Sequence, residues 1–169
     1  MNNITKDSIY ALLEQVSDPE IPVLTILDLG IVRDVLMDAN QIEIIITPTY
    51  TGCPAMDAIA TDIKFKLLEF GLKNIKVSFT LHPAWTTDWM SDSGKEKLKA
   101  YGIAPPQRMT GDHFSKRIDN MLFERDHQIE CPHCLSTNTA LMSQFGSTAC
   151  KALYQCNDCK EPFDHFKCH

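Results

Sequence analysis

Apolar residues recur at helical spacing in two stretches of the N-terminal half. The first stretch predicts a helix that stops before Asp18, because Pro19 follows at once; its apolar members are Ile9, Leu12, Leu13 and Val16. The second predicts a helix closed by Gly71 as a C-terminal stop; its apolar stripe is Met56, Ile59, Ile63, Leu67 and Phe70.

Alternating apolar residues predict three strands around these helices. Residues 31–37 and 41–47 form a predicted hairpin with a turn at residues 38–40. The third strand covers residues 75–79, where apolar side chains again alternate with polar ones. The order α-β-β-α-β predicts a small α+β domain with its helices on one side of a short sheet.

The pattern loosens after residue 85. A short helix is predicted over residues 93–101, capped by Ser93 and ended by Gly102. Mixed charge and little periodicity make residues 105–128 a predicted linker. We therefore expect a first domain at residues 1–104 and a separate C-terminal domain at residues 129–169. That last segment, roughly 40 residues with few aliphatic side chains, needs more than an ordinary core to fold.

Two CxxC pairs supply the missing stabilisation. Cys131 and Cys134 form the first pair, and Cys156 and Cys159 form the second after 21 intervening residues. This spacing is typical of a zinc ribbon, in which four thiolates enclose a structural, tetrahedral Zn²⁺ with no open catalytic position. Four cysteines also accept iron in a rubredoxin-like site, or a cluster, and the spacing does not choose between these metals.

Other potential ligands of the tail lie outside these pairs: Cys150, Cys168, His133, His165 and His169. Solvated loop positions are favoured over ligand roles for the histidines, and Cys150 fits a small buried apolar position. Cys168 is harder to explain by packing, because it lies at the very end of the sequence.

Charge and cysteine usage narrow the function classes. The net charge of −6 argues against a nucleic-acid binder, and the tail itself carries three lysines against four acids, which favours a protein-interaction module. No apolar run approaches the ~20 residues of a membrane helix, and the N-terminus lacks the pattern of a signal peptide. Six of the seven cysteines lie in the last 39 residues. An odd count without an export signal predicts reduced cysteines and a cytoplasmic protein.

The remaining cysteine, Cys53, lies between the second strand and the second long helix. With Pro54 as the first helical residue, Cys53 is the predicted N-cap, where backbone N–H groups and the helix dipole favour a thiolate. Nucleophilic, redox and metal-ligating roles are open to it, and so is an inert capping role. A thiol enzyme would need His82 as its partner, and no phosphate loop, HExxH helix or GxSxG elbow points to an enzyme.

Short motifs of the first segment resemble the SufT-type family of iron–sulfur cluster assembly proteins: DPEIP at residues 18–22, DLGIV at residues 28–32, Thr47-Pro48, and GCP at residues 52–54. The tail, with FGSTACKALY at residues 145–154, is similar to the PaaD family of accessory subunits encoded with the phenylacetyl-CoA epoxidase of aerobic phenylacetate breakdown. The resemblance covers nearly the whole chain.

The resemblance implies residue roles. Cys53 becomes the candidate for transient handling of iron or an iron–sulfur cluster, and Asp18, Glu20 and Asp28 become signature positions of the family. A purely local role is open for these acids, since Asp18 and Glu20 can cap turns and Asp28 can accept backbone N–H groups. One cysteine cannot hold a cluster, which takes four ligands, so a second copy, a client or a scaffold supplies the others, and Cys150 and Cys168 are further candidates within this chain.

The resemblance also implies a function. We expect an accessory protein, without catalytic activity of its own, that delivers an iron–sulfur cluster or iron to the phenylacetyl-CoA epoxidase system. The expected partners are the iron–sulfur reductase component, or else the di-iron oxygenase, together with the cluster assembly machinery and a second copy of this chain. The alternative is a structural adaptor that docks the oxygenase components through its zinc ribbon.

Overall fold

The computed structural model describes residues 4–38, 41–106 and 129–167. Within these ranges the chain divides into two compact units, the first ending at Lys97 and the second beginning at Leu98. The predicted turn at residues 38–40, most of the predicted linker, Cys168 and His169 lie wholly or partly outside the described residues.

The first unit has the predicted order of elements: α1 (Lys6–Leu13), β1 (Val32–Met37), β2 (Ile42–Ile46), α2 (Ala55–Glu69) and β3 (Ile75–Phe79). A 3₁₀ turn (Thr87–Trp89) follows, and α3 (Asp92–Tyr101) runs across the division at Lys97. The sheet order is β1-β2-β3, with β1 and β2 antiparallel and β2 and β3 parallel. The parallel pair is possible because α2 provides the crossover between β2 and β3.

The core of this unit is aliphatic. Ile44 and Ile46 on β2 are fully buried, and so are Ile63 and Leu67 on α2. Helix α1 packs against α2 and β1, and α2 packs against β3. The α+β class and the hairpin are confirmed, and Gly71 ends α2 with φ of +83° as a C-terminal stop requires.

Two local predictions are wrong. Phe70 does not belong to the buried stripe of α2, because its side chain is 68% exposed at the end of the helix. Ser93 does not cap α3, because it already lies within the helix. Ser91 is the cap, since its hydroxyl accepts a hydrogen bond from the N–H of Gly94, three residues further on, at 2.8 Å.

The second unit contains a four-stranded sheet in the order β4-β7-β6-β5. The strands are β4 (Ile103–Ala104), β5 (Thr139–Ser143), β6 (Lys151–Cys156) and β7 (Pro162–Phe166). Strand β4 pairs in parallel with β7, so residues 103–104 join the sheet of the cysteine-rich segment. The division at Lys97 therefore falls earlier than the boundary at residue 104 expected from the sequence.

One buried cluster of the second unit is partly sulfur-bearing: Ala104, Ile129, Cys131, Cys156 and Phe163. Ile103, Ala152 and Phe166 of the same sheet are buried as well. Tyr154 stacks on Phe163 with ring centroids 5.9 Å apart. None of the helices in the described ranges is long and apolar enough to cross a membrane.

Candidate functional site

Cys53 lies in the connection between β2 and α2, at the point where the chain turns into the helix. Gly52 has φ of +83°, the backbone conformation that makes this turn possible. The N-cap of α2 is Pro54, and the helix begins at Ala55. The prediction that Cys53 is the N-cap is therefore wrong by one residue, and its half-buried thiol lies just ahead of the helix.

The environment of the thiol favours the protonated form. Burial raises the pKa of Cys53 above its ordinary value, and the negative charges of Glu20 and Asp18 raise it further. Hydrogen bonds to the sulfur from the Ala55 N–H and the Tyr50 hydroxyl lower the pKa but do not offset burial. Burial of the thiol therefore opposes the thiolate that the start of the helix was expected to favour.

Asp18 and Glu20 approach Cys53 from the connection between α1 and β1. Asp18 is only 8% exposed, and its Oδ1 accepts hydrogen bonds from the N–H groups of Glu20 and Ile21, both at 2.8 Å. This bonding holds the turn in the way that the local interpretation expected of Asp18. The structure thus brings Cys53, Asp18 and Glu20 into one electrostatic neighbourhood.

Asp28 belongs to a different set of contacts. Its Oδ2 accepts a hydrogen bond from Lys97 Nζ at 2.6 Å, and its Oδ1 accepts one from the Ser91 hydroxyl at 2.8 Å. Thr25 donates its backbone N–H and its hydroxyl to the same carboxylate, both at 3.1 Å. Burial raises the pKa of Asp28, but these donors outweigh it and hold the pKa below its ordinary value. Asp28 therefore ties the start of α3 to the turn before β1.

His82 is exposed after β3, and its N–H donates to the Thr80 hydroxyl at 3.4 Å. Both Cys53 and His82 are described, and no hydrogen bond joins them in the structure. The Cys–His pair that a thiol enzyme requires is therefore not formed in this arrangement.

The two CxxC pairs have the same backbone geometry 25 residues apart. In the first, the Leu135 N–H donates to the Cys131 carbonyl at 2.9 Å, and Leu135 has φ of +64°. In the second, the Lys160 N–H donates to the Cys156 carbonyl at 3.0 Å, and Lys160 has φ of +66°. Each pair is thus a tight turn that directs two sulfurs to one side.

The four sulfurs converge on one point. All lie within 4.8 Å of one another, with Cys131 and Cys159 3.7 Å apart and Cys134 and Cys156 3.5 Å apart. A tetrahedral ion with Zn–S bonds of about 2.3 Å places its sulfurs about 3.8 Å apart, so the donor set fits Zn²⁺. N–H groups of Cys159 and Asp158 also donate to the Cys156 sulfur and lower its pKa to about 7, whereas hydrogen bonds with the other three sulfurs raise the pKa of Cys159 to about 12.

The other candidate ligands of the tail lie apart from this cluster where the structure describes them. Cys150 is buried, with its sulfur 3.0 Å from the Thr148 hydroxyl. His165 Nδ1 lies 3.2 Å from the Ala104 carbonyl and links β7 to β4. The four-cysteine group contains neither residue.

Sequence reasoning missed two partners of the candidate residues. Tyr50 donates its hydroxyl to Cys53, and its position three residues upstream in the same connection was a usable signal. Lys97 pairs with Asp28 across 69 residues of chain, and no local pattern could have indicated that ion pair.

Comparison with known proteins gives two domain families and several relatives. Residues 6–81 match the family "Iron-sulfur cluster assembly protein", and residues 116–167 match the "PaaD zinc beta ribbon domain". A solved structure titled "Domain of Unknown Function DUF59 from Bacillus anthracis" is 35% identical, with a TM-score of 0.52, over 55% of this chain and 90% of that one.

Two relatives cover different shares of the chain. "Fe-S protein maturation auxiliary factor YitW" of Bacillus subtilis (strain 168) is 38% identical over 58% of this chain and 97% of its own length. A protein of Escherichia coli (strain K12), named as one subunit of a "Putative 1,2-phenylacetyl-CoA epoxidase", is 47% identical over 95% of this chain and 91% of its own length. The chain therefore belongs to the PaaD family, and its match to iron–sulfur cluster assembly proteins precedes its match to the zinc β-ribbon.

Proposed function

We propose that this chain is an accessory maturation protein of the phenylacetyl-CoA epoxidase system, without catalytic activity of its own, that helps deliver an iron–sulfur cluster or iron. The observation that carries the proposal is the thiol of Cys53, half-buried beside Asp18 and Glu20 in the domain that matches iron–sulfur cluster assembly proteins. The client is the iron–sulfur reductase component, and the cluster assembly machinery is the donor.

Cys53 suits a transient ligand. Its raised pKa keeps the thiol protonated and less open to oxidation at neutral pH. When iron binds, an S–Fe bond replaces the S–H bond and the proton leaves to solvent. The Ala55 N–H and the Tyr50 hydroxyl then donate to the bound sulfur.

The number of ligands that this chain can supply would allow the bound iron or cluster to be transferred. A cluster takes four protein ligands and Cys53 supplies one, so thiolates of the donor, the client or a second copy of this chain fill the others. A single thiolate from this chain holds the cargo weakly enough to release it. Asp18, Glu20 and Asp28 act as positioning residues in this proposal, the first two by shaping the charge around the sulfur.

The ribbon has a separate role. We propose that Cys131, Cys134, Cys156 and Cys159 hold one structural Zn²⁺, which supplies folding free energy to the second unit. Metal analysis and absorption spectroscopy of anaerobically purified protein should give one zinc per chain and no visible chromophore. Iron at these cysteines would give visible charge-transfer bands and overturn the zinc assignment.

The decisive variant for delivery is Cys53→Ser. Serine preserves an acceptor for the Ala55 N–H, so the fold should persist. Cluster occupancy of the reductase and epoxidase activity in cells should both fall. The matched control, Thr51→Ser, changes an exposed side chain of the same connection and should leave both unchanged. Full occupancy with Cys53→Ser would end the delivery proposal.

The structural adaptor has one observation in its favour. The ribbon exposes Leu141, Met142 and Phe145, and Lys167 Nζ lies 4.5 Å above the Phe145 ring. An adaptor would co-purify stoichiometrically with the oxygenase components and would tolerate Cys53→Ser. Loss of that co-purification in Phe145→Ser, with reductase cluster content unchanged, would favour docking over delivery.

A further inference from the structure

An open cleft of about 410 Å³ lies in the first unit between the α1–β1 connection and helix α2. One wall is formed by residues 15–19 and Pro22, where the two prolines restrict the backbone and Asp18 caps the turn. The Asp18 N–H donates to the Leu24 carbonyl at 2.9 Å, which closes this wall on itself. The cleft is therefore preformed.

The other wall is one face of α2. Asp62, Phe65, Lys66 and Glu69 recur at helical spacing and line the cleft. The aliphatic core lies on the opposite side of the helix, so the Phe65 side chain does not contribute to it and is 63% exposed. A large aromatic side chain held in an open cleft offers a ready surface for a ligand.

The charge of the cleft has one predominant sign. Three acidic residues, Asp18, Asp62 and Glu69, line the cleft with one lysine, Lys66, whose Nζ lies 3.9 Å from Glu69. Residues 1–97 as a whole carry fourteen acids against eight lysines and arginines. A planar cation that stacks on an aromatic ring and donates hydrogen bonds to carboxylates is the complementary ligand.

We propose that this cleft is a docking site for an arginine-bearing segment of a partner protein. The guanidinium stacks on Phe65 and donates to Asp62 and Glu69, while its aliphatic stem lies against Pro19 and Pro22. Asp18 belongs both to the cleft and to the charges that act on Cys53. The inference goes beyond the delivery proposal and depends only on the cleft.

The test is an NMR titration of the isotope-labelled full chain with the peptide acetyl-Gly-Arg-Arg-Gly-amide. Shift changes should map to residues 15–22 and 62–69 and weaken as salt is raised. The matched peptide with citrulline in place of arginine keeps shape and loses charge, and it should bind about tenfold more weakly.

Variants separate this site from general acidity. Asp62→Asn/Glu69→Gln should weaken the arginine peptide about tenfold, and Phe65→Ser should weaken it severalfold. The control Asp57→Asn/Glu96→Gln makes the same change of charge at exposed positions outside the cleft and should bind as the wild type does. Cys53→Ser should also bind normally, so failure of delivery and failure of docking are distinguishable. Equal binding of the citrulline peptide, or no effect of the cleft variants, would overturn the proposal.

Discussion

The two units of the chain bury different chemistry. The first encloses branched aliphatic side chains from two helices and a sheet, among them Ile9, Leu13, Ile44 and Ile63, all fully buried. One buried cluster of the second contains Ala104, Ile129 and Phe163 together with Cys131 and Cys156 of the CxxC pairs, and Ile103, Ala152 and Phe166 are buried as well. Apolar burial can therefore stabilise the first unit, whereas we propose that the second also needs the bonds that its sulfurs would make to a metal.

The units also differ in charge. Residues 1–97 account for the entire net charge of −6, because residues 98–169 contain eight acids and eight lysines and arginines. Both tryptophans, Trp85 and Trp89, lie in the first unit. Tryptophan fluorescence therefore follows the first unit alone, which makes the comparison open to experiment.

The largest effect is expected from removing a metal ligand, which should unfold the zinc ribbon. Cys131→Ser or Cys156→Ser should unfold the residues after about 128, because the metal supplies on the order of 10 kcal/mol of their folding free energy. Hydrogen exchange should show lost protection in β5, β6 and β7, while tryptophan fluorescence stays native. A strong chelator should reproduce this on the wild type, and protection that survives verified metal loss would contradict the comparison.

The converse change removes a side chain from the aliphatic core of the first unit. Ile63→Ala should cost about 2–5 kcal/mol of stability in the first unit, because Ile63 is fully buried and leaves a cavity. Urea unfolding followed by tryptophan fluorescence measures the loss, and the zinc content should stay at one per chain. Leu68→Ala on the same helix, 52% exposed, should change stability by no more than about 0.5 kcal/mol.

Substitution of one glycine by alanine in each unit tests how well that unit accommodates an added Cβ atom. A Cβ at Gly30, where φ is +67°, would lie 2.2 Å from the Trp89 carbonyl oxygen, and a backbone atom cannot move away cheaply. Gly30→Ala should therefore destabilise the first unit by about 2–4 kcal/mol in urea unfolding.

The corresponding substitution in the second unit is Gly146→Ala. A Cβ at Gly146 would lie 2.4 Å from Asp164 Oδ1, the end of a side chain that can rotate. Gly146→Ala should therefore cost less in the second unit, as measured by hydrogen exchange of β6 and β7. A larger loss in the ribbon than in the first unit would reverse this part of the comparison.

The smallest expected effect depends on pH. Asp28 has a lowered pKa in the folded chain, so its contribution to stability is present above its ordinary value of 3.8 and is lost as pH falls through the folded pKa. Asp28→Asn should cost about 1 kcal/mol at neutral pH, because the bonds from Lys97 and Ser91 weaken. The difference between wild type and variant, followed by tryptophan fluorescence, should shrink in acid. A difference that does not depend on pH would mean that packing, and not charge, is what the variant removes.

Local periodicity was sufficient for most elements of the first unit. The isoleucines of β2 and the stripe of α2 are buried as predicted, because alternation and helical spacing directly encode which face is apolar. The two CxxC turns could also be predicted from the sequence, since each is a local motif and the same geometry occurs at 131–135 and 156–160. Phe70 and Ser93 were misassigned at helix ends, where one residue changes the environment of a side chain.

The sequence by itself determined the α+β class, the hairpin, α2 and the four converging sulfurs, because each follows from neighbours within one element or one short motif. The tertiary structure alone decided that Lys97 binds Asp28, that β4 joins the ribbon sheet, and that Asp18 and Glu20 lie near Cys53. It also decided the direction in which the pKa of Cys53 is shifted. Desolvation and the charges of distant segments set that pKa, and no spacing along the chain records how deeply a thiol is buried.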